Sequence, residues 1–168
     1  MPVRTLVSPE EYLKTSFEDG DREYVDGELV KRGMPTYLHG KVQALICMQF
    51  TDLVKSHSVF AVTEVRHALN PEHLYRIPDI AVFAGEEPTG PVPVTPPLIA
   101  IEIASPDDRL TETLKKFEEY RHWGITHIWL IDPEDRKLYT YDKSGLHPVP
   151  ALNVPRFELT IALSDLGL

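Results

Sequence analysis

Cysteine is almost absent from this sequence of 168 residues, which contains only Cys47. A disulfide bond within the chain is therefore excluded, and such a composition fits a reducing cytoplasm. Because Cys47 lies in the apolar run VQALICMQF, a buried hydrophobic side chain is a better interpretation than a catalytic thiol. No apolar run approaches the roughly 20 residues of a membrane-spanning helix, and no secretory signal opens the chain. We therefore expect a cytoplasmic protein that is not membrane-bound.

Basic residues are also scarce. Lys and Arg number 17 against 26 for Asp and Glu, a formal net charge of −9. This balance argues against a protein that coats nucleic acid, because nonspecific binding depends on neutralising phosphates with Lys and Arg. It does not exclude an enzyme with a carboxylate site, since such a site is acidic until a metal ion binds.

Internal repeats, low-complexity tracts and linkers are absent as well. With 42% hydrophobic and 26% charged residues, the composition is that of an ordinary globular protein. The length and composition predict one domain over residues 1–168 with a single hydrophobic core.

Local signals predict the first elements of the fold. The segment Ser8-Pro9-Glu10-Glu11 predicts a helix start, because it combines an N-cap serine, a proline at the first helical position and a glutamate three residues after the cap. The pair Asp26-Gly27 between two strand-like arms predicts a tight hairpin turn. From Thr36 to about Lys55, apolar residues recur at helical spacing and predict the longest helix.

Short apolar runs predict the strands of a sheet. Residues 86–97 are rich in proline and predict a loop; PLIAIEIAS follows as a strand for the middle of the sheet. NPEHLYR is predicted to be a loop, Pro106 to Trp123 a helix ending at Gly124, and the tail from Ala151 a strand or loop. The other predicted strands are SVFAVTEVR, the arm His67-Ala68-Leu69, IPDIAVFAG, ITHIWLID and RKLYTYDK. We expect an α+β (α/β-like) fold with a mixed central sheet flanked by helices.

Two carboxylates lie where a sheet would bury them. Glu102 has apolar neighbours on both sides, and an ionised carboxylate there is costly unless it is paired, hydrogen-bonded or bound to a cation. Asp79 opens another apolar strand, and two neighbouring carboxylates would favour a shared Mg²⁺ or Mn²⁺ ion. For Glu102 alone, a buried ion pair or a solvated strand end is the alternative. Whether the two face each other depends on strand pairing.

The predicted helix after Glu102 supplies a cation. At 3.6 residues per turn, Lys116 falls at the edge of the apolar face, from which its ammonium could reach the strand ends. Lys115 falls on the opposite, solvated side. The alternative for Lys116 is a side chain that runs along the helix boundary into solvent.

Five segments of the chain, taken in their order along the sequence, resemble the Uma-two type endonuclease family of the PD-(D/E)XK nuclease superfamily. The resemblance spans about residues 8–145. The segments are Glu23…Asp26-Gly27-Glu28-Leu29; Pro35…His39-Gly40; Arg76-Ile77-Pro78-Asp79-Ile80-Ala81-Val82; Glu102-Ile103-Ala104-Ser105-Pro106 with Lys116 four residues before Tyr120; and Gly124-Ile125…Ile128-Trp129-Leu130-Ile131-Asp132-Pro133.

The resemblance implies a restriction-endonuclease-like fold and cleavage of DNA phosphodiester bonds that depends on Mg²⁺ (or Mn²⁺). Asp79 and Glu102 match the two acidic positions of the family, and with the Ile103 carbonyl they are the expected metal ligands. Asp79, Glu102 and Lys116 are the expected catalytic residues. The superfamily pattern has a lysine two residues after the glutamate, where this chain has Ala104. Lys116 matches the helix lysine of the family and is its expected replacement.

The resemblance also extends to two auxiliary candidates. Glu23 is a candidate further ligand and His39 a candidate substrate contact, although helix capping or packing is the default interpretation of His39. Glu64, Arg66 and His67 carry no signal above that of an ordinary surface. Family proteins of this fold are often dimers, and ITHIWLID and RKLYTYDK could supply an edge for a homodimer.

Two other functions remain open. A catalytically weak nuclease-fold module acting in binding or protein interaction is favoured by Ala104 and the net charge of −9, whereas Asp79, Glu102 and Lys116 favour the nuclease. An unrelated α/β enzyme acting on acidic metabolites is less well supported, because the sequence has no Gly-rich phosphate loop and no Ser-His or Cys-His signature.

Overall fold

The computed structural model describes residues 6–168. Its helices are α1 (Pro9–Lys14), α2 (Tyr37–Gln49), α3 (Thr51–His57) and α4 (Leu110–Trp123). Its strands are β1 (Arg22–Val25), β2 (Glu28–Lys31), β3 (Val59–Thr63), β4 (His67–Asn70), β5 (Leu74–Arg76), β6 (Ile80–Ala84), β7 (Ile99–Ile103), β8 (His127–Asp132), β9 (Lys137–Asp142), β10 (Gly145–Val149), β11 (Ala151–Val154) and β12 (Leu159–Ala162). Short 3₁₀ turns follow β11 and β12. None of the helices within residues 6–168 is long and apolar enough to cross a membrane.

The local signals at the start of the chain are confirmed. Ser8 caps α1, and its hydroxyl accepts a hydrogen bond of 3.2 Å from the N–H of Glu11. Asp26 and Gly27 join β1 to β2 with φ angles of 49° and 89°. Positive φ at both central residues is what a tight hairpin turn of this kind requires, and the Asp-Gly pair tolerates it.

The predicted long helix is two helices, and the prediction was wrong at Phe50. This residue ends α2 and precedes α3 with ψ of −3°, and its side chain is fully buried in the core. Burial of Phe50 therefore fixes a bend that helical periodicity does not reveal. α4 also starts later than predicted, because Ser105 and Asp108 form a turn in which Asp108 accepts a 2.7 Å hydrogen bond from the Ser105 N–H.

The central sheet has six strands in the order β10-β9-β8-β7-β6-β3. β7 and β8 are parallel and are connected by α4, whereas the other neighbours are antiparallel. The predicted mixed α+β fold is thus confirmed, with β7 inside the sheet. A second sheet has the order β2-β1-β5-β4, and β5 pairs with both β1 and β4. The loop predicted over NPEHLYR is therefore confirmed only for the turn at residues 71–73 and was wrong for Leu74–Arg76.

The strands ITHIWLID and RKLYTYDK do not form an edge. They correspond to β8 and β9, and β10 pairs with β9 on its outer side. The predicted edge was therefore wrong, because the sequence gives no strong signal for β10. Homodimer formation itself stays a prediction.

The two faces of the central sheet pack against different helices. Ile99, Ile101 and Ile103 of β7 face the core that contains Val42 and Ile46 of α2. Ala100 faces the core formed with Phe117 and Tyr120 of α4. Since successive residues of a strand alternate between faces, Glu102 shares the α4 face with Ala100.

Candidate active site

Strand pairing brings Asp79 and Glu102 together. In the antiparallel pair of β6 and β7, Ile80 lies opposite Ile101. Continuing this register by one residue places Asp79, which directly precedes β6, opposite Glu102. Glu102 lies on the α4 face, whereas the Asp79 carboxylate bonds to the Ile103 N–H at the end of β7 and lies beside His39 of α2. Both residues line one cleft. The tertiary structure thereby answers the question that the sequence left open.

The Asp79 carboxylate is buried, with 5% of the residue exposed. Its Oδ2 accepts a hydrogen bond of 2.7 Å from the N–H of Ile103, and its Oδ1 accepts one of 2.8 Å from Arg32. Burial raises the pKa of Asp79 to about 6, although Lys116 and the Ile103 N–H lower it. The residue is thus held next to the Ile103 backbone, and its ionised form depends on nearby positive charge.

The Glu102 carboxylate has two partners on α4. Its Oε1 accepts a hydrogen bond of 2.7 Å from the Tyr120 hydroxyl and lies 2.9 Å from Nζ of Lys116. Burial raises the pKa of Glu102 to about 7; Lys116 opposes this rise and Asp79 adds to it. The charge of Asp79 therefore disfavours ionisation of Glu102, as expected of neighbouring acidic groups.

Lys116 lies between two carboxylates. Its Nζ is 2.8 Å from Oε1 of Glu23 and 2.9 Å from Oε1 of Glu102, and it donates a longer bond of 3.4 Å to the carbonyl of Ile77. Burial lowers the pKa of Lys116, but Glu102, Glu23 and Asp79 outweigh burial and hold it above its usual value. The side chain is therefore an ammonium at neutral pH. The helical periodicity correctly placed it at the edge of the buried face.

Glu23 is engaged by protein donors on both oxygens. Its Oε1 also accepts a 2.9 Å hydrogen bond from the Ile77 N–H, and its Oε2 accepts one of 2.8 Å from Arg76. Burial opposes ionisation, yet Lys116 and Arg76 lower the pKa of Glu23 to about 2. These contacts fit a residue that positions Lys116 better than an additional metal ligand.

His39 lies on the other side of Asp79. Thr36, not His39, caps α2 and accepts a 3.1 Å hydrogen bond from the His39 N–H, so the capping interpretation of His39 was wrong. The imidazole faces inward with 6% of the residue exposed, and its Nε2 is 3.6 Å from Oδ1 of Asp79. Burial lowers the pKa of His39.

Sequence analysis assigned no role to three polar residues beside this site. Arg32, directly after β2, forms ion pairs with both Glu64 and Asp79. Gln43 donates hydrogen bonds of 2.9 Å to Oε1 of Glu64 and to the carbonyl of Asp79. Arg32 and Glu64 lie at strand ends where exposed charges are common, so no local pattern distinguishes them. The spacing of Gln43, four residues after His39 on α2, is the one available clue.

A cleft of about 470 Å³ lies at this site, and its lining includes Glu23, Arg32, His39, Asp79, Glu102 and Lys116. Five cationic and six acidic side chains line it, so the acidic excess of the whole chain is nearly balanced here. The cationic residues are Lys31, Arg32, Arg76, Arg109 and Lys116; the acidic residues are Glu23, Asp79, Glu102, Asp107, Asp108 and Glu112.

The fold is that of a nuclease-type protein with a restriction-endonuclease-like architecture. The chain belongs to the Uma2 family, described as "Putative restriction endonuclease", whose model matches residues 9–165. The fold is similar to the crystal structure of a protein from Anabaena variabilis ATCC 29413 described as "a putative nuclease belonging to DUF820". The TM-score is 0.80 at 26% identity, covering 95% of this chain and 97% of the other. No curated protein matches the chain.

The donors around Asp79 fit a divalent cation. Proteins of the restriction-endonuclease type generally use divalent metal ions. Carboxylate and carbonyl oxygens suit Mg²⁺ and Mn²⁺, and Asp79, Glu102 and the Ile103 backbone meet at one strand end. A second set lies alongside: His39, Glu64 and Asp79 each offer a ligand atom, and these atoms lie within 4.8 Å of one another.

Proposed function

We propose that this protein is a metal-dependent endonuclease that hydrolyses phosphodiester bonds of DNA. The observation that carries the proposal is the grouping of Asp79 and Glu102 around Lys116 in one cleft, with the pKa of each carboxyl raised by burial. Two buried carboxylates that resist joint ionisation are stabilised by a bound cation. Asp79, Glu102 and the Ile103 carbonyl are the proposed ligands of Mg²⁺ or Mn²⁺.

The bound ion would lower the pKa of a water molecule and offset charge on the scissile phosphate. The side chains have separate roles. Tyr120 holds Oε1 of Glu102 through its 2.7 Å hydrogen bond. Lys116, which stays protonated, is unsuited to act as a general base; it instead favours the ionised form of Glu102 and adds positive charge beside the phosphate. Lys116 thus supplies from α4 the charge that Ala104 cannot supply from the strand.

DNA is the proposed substrate because of the family and because of the charge of the cleft. Its five cationic side chains lie beside six acidic ones. A divalent ion on Asp79 and Glu102 would give the cleft a positive excess, so we expect phosphate binding to depend on the metal ion.

The test combines metal binding with cleavage. Mn²⁺ is titrated calorimetrically into wild type, Asp79→Asn and Glu102→Gln, with Glu72→Gln as a control on an exposed side chain. The same proteins are then assayed for nicking of supercoiled plasmid with Mg²⁺ or Mn²⁺. We expect both site variants to weaken binding and abolish nicking, while Glu72→Gln behaves as wild type. Equal binding by all four proteins would refute the site.

The second candidate function is a catalytically weak nuclease-fold module that acts by binding. Two observations favour it: Ala104 replaces the superfamily lysine, and Arg32 forms an ion pair with Asp79. This alternative predicts DNA or protein binding without nicking at any metal concentration. Metal-dependent nicking that disappears in Glu102→Gln would exclude it.

A further inference from the structure

A group of mixed ligands beside Asp79 forms a compact set separate from Glu102. His39 comes from α2, Glu64 directly follows β3, and Asp79 directly precedes β6. We propose that His39, Glu64 and Asp79 form a second metal site that prefers Mn²⁺ or another divalent transition metal to Mg²⁺, and that the Arg32 guanidinium occupies this site until the metal displaces it. This deepens the proposed function and rests on it, since Asp79 is common to both sites.

The imidazole of His39 points into this group with little else to bind. Only 8% of its side chain is exposed, and Nε2 lies 3.6 Å from Oδ1 of Asp79, which is too long for a hydrogen bond. Nδ1 is buried, and no residue among 6–168 forms a hydrogen bond with it. A buried imidazole normally has a partner on at least one nitrogen. A metal ion between His39 and Asp79 would provide that partner for Nε2.

Glu64 is held in place for the same position. Its backbone has a φ of 58°, in the left-handed region, and its N–H donates to the Asp79 carbonyl over 3.4 Å. Gln43 donates to both Oε1 of Glu64 and the Asp79 carbonyl. Gln43 therefore links the Glu64 carboxylate to the Asp79 backbone and orients Glu64 toward Asp79. This is the arrangement in which surrounding groups fix the ligands of a metal site.

A cation already lies between the two carboxylates. One nitrogen of Arg32 contacts Glu64, and the other is 2.8 Å from Oδ1 of Asp79. The Arg32 side chain is only 19% exposed, so its charge takes up the space where carboxylate ligands would hold a metal ion. Arginine does not lose its proton at accessible pH and competes with a metal at any pH. Arg32 directly follows the end of β2, from which its side chain can swing into the solvent-open cleft.

The donor chemistry sets the preference between metal ions. Asp79, Glu102 and a carbonyl offer oxygen alone, which suits Mg²⁺. His39 adds an imidazole, a ligand that favours transition metals over Mg²⁺. The proposed sites therefore differ in selectivity even though they share Asp79.

The test counts bound Mn²⁺ and identifies a nitrogen ligand directly. Calorimetry gives the number of ions bound by wild type, His39→Asn, Glu64→Gln and Glu102→Gln, and pulsed electron paramagnetic resonance detects coupling of Mn²⁺ to imidazole nitrogen. His122→Asn, which changes an exposed histidine on α4, is the matched control. We expect two ions in wild type and one in each site variant. Nitrogen coupling should persist in Glu102→Gln and His122→Asn and disappear in His39→Asn.

Arg32→Ala provides a second measurement. Removing the competing guanidinium should raise the affinity for one of the two Mn²⁺ ions by about tenfold or more, because the metal no longer has to break an ion pair. The affinity for Mg²⁺ should change less. An Arg32→Ala variant with unchanged Mn²⁺ affinity would contradict the role of Arg32.

The outcomes separate this inference from the proposed function. Absence of nitrogen coupling in wild type and in Arg32→Ala overturns the second site, even if His39→Asn fails to fold. If only Glu102→Gln loses an ion, the second site is refuted and the first stands. If His39→Asn and Glu64→Gln each lose an ion but Glu102→Gln does not, the second site stands and the proposed role of Glu102 fails.

Discussion

Replacing Lys116 by methionine removes the cation between the buried carboxylate of Glu23 and the largely buried carboxylate of Glu102. Removing one partner of a buried ion pair typically costs about 3 to 5 kcal/mol, because the remaining charge stays buried. Glu23 keeps the Ile77 N–H and Arg76, so most of the cost falls on Glu102, which keeps only the Tyr120 hydroxyl among the contacts described above. We expect the free energy of unfolding to fall by about 3 kcal/mol near pH 8 in metal-free buffer.

The loss of stability in Lys116→Met should be larger at high pH than at low pH. The pKa of Glu102 is already raised to about 7 by burial, and Lys116 is the group that opposes the rise. Without Lys116 the pKa rises further. A carboxyl whose pKa is raised in the folded state stabilises the fold at low pH, and this contribution is lost as the pH rises through the folded pKa. Near pH 5 Glu102 is protonated, so the loss should shrink to about 1 kcal/mol.

Urea denaturation at the two pH values measures this difference. Lys115→Met, on the exposed side of α4, is the control and should change stability little at either pH. The double variant Lys116→Met/Glu102→Gln should remove the additional pH dependence, because no ionisable group remains at position 102. An equal loss near pH 5 and pH 8, or a double variant with the same pH dependence as Lys116→Met, would refute the reasoning.

Three further predictions test the site and the fold. Apparent Mn²⁺ affinity should rise from about pH 5.5 to pH 8, because Asp79 and Glu102, with pKa values of about 6 and 7, must lose protons to bind metal. Calorimetry in buffers of different ionisation enthalpy should detect the released protons. An affinity that does not change with pH would contradict the ligand assignment. Tyr120→Phe should lower the free energy of unfolding by about 1 kcal/mol in urea denaturation, since it removes the 2.7 Å bond to Glu102; an unchanged value would mean that this bond contributes nothing. Gly124→Ala should lower the free energy of unfolding by about 1 kcal/mol, because φ is 106° at this helix end. Gly40→Ala in α2 should raise it by about 1 kcal/mol, because nothing lies within 4 Å of the added methyl group. Thermal unfolding that shifts both variants in the same direction would contradict these conformations.

Several elements could be predicted because their signals are local. Ser8 caps α1, the Asp26-Gly27 pair forms the hairpin turn, and Gly124 ends α4 in a left-handed conformation. Each depends on the conformational preference of one or two residues, which does not change with distant contacts. The helix break at Phe50 was not predicted, because it depends on the burial of the Phe50 side chain in the core, which involves residues distant in the chain.

The candidate site divides in the same way. Asp79 and Glu102 stand out in the sequence because a carboxylate inside an apolar run is costly wherever the strand lies. Lys116 stands out because helical periodicity places it at the edge of the buried face. The pairing of Glu23 with Lys116 and Arg76 was not predictable, because it connects β1 to α4 across the fold.

The sequence by itself determined the helix caps, the hairpin and the buried position of β7. It also identified two carboxylates that need an ion pair, a hydrogen bond or a bound cation to be ionised inside the sheet. Only the tertiary structure decided that Asp79 and Glu102 line one cleft, because the pairing of β6 with β7 brings the start of one strand beside the end of the other. It also decided that Arg32 and Glu64 lie beside Asp79. Their positions follow from strand ends that are distant in the chain and come together only when the sheets form, so no local preference could reveal them.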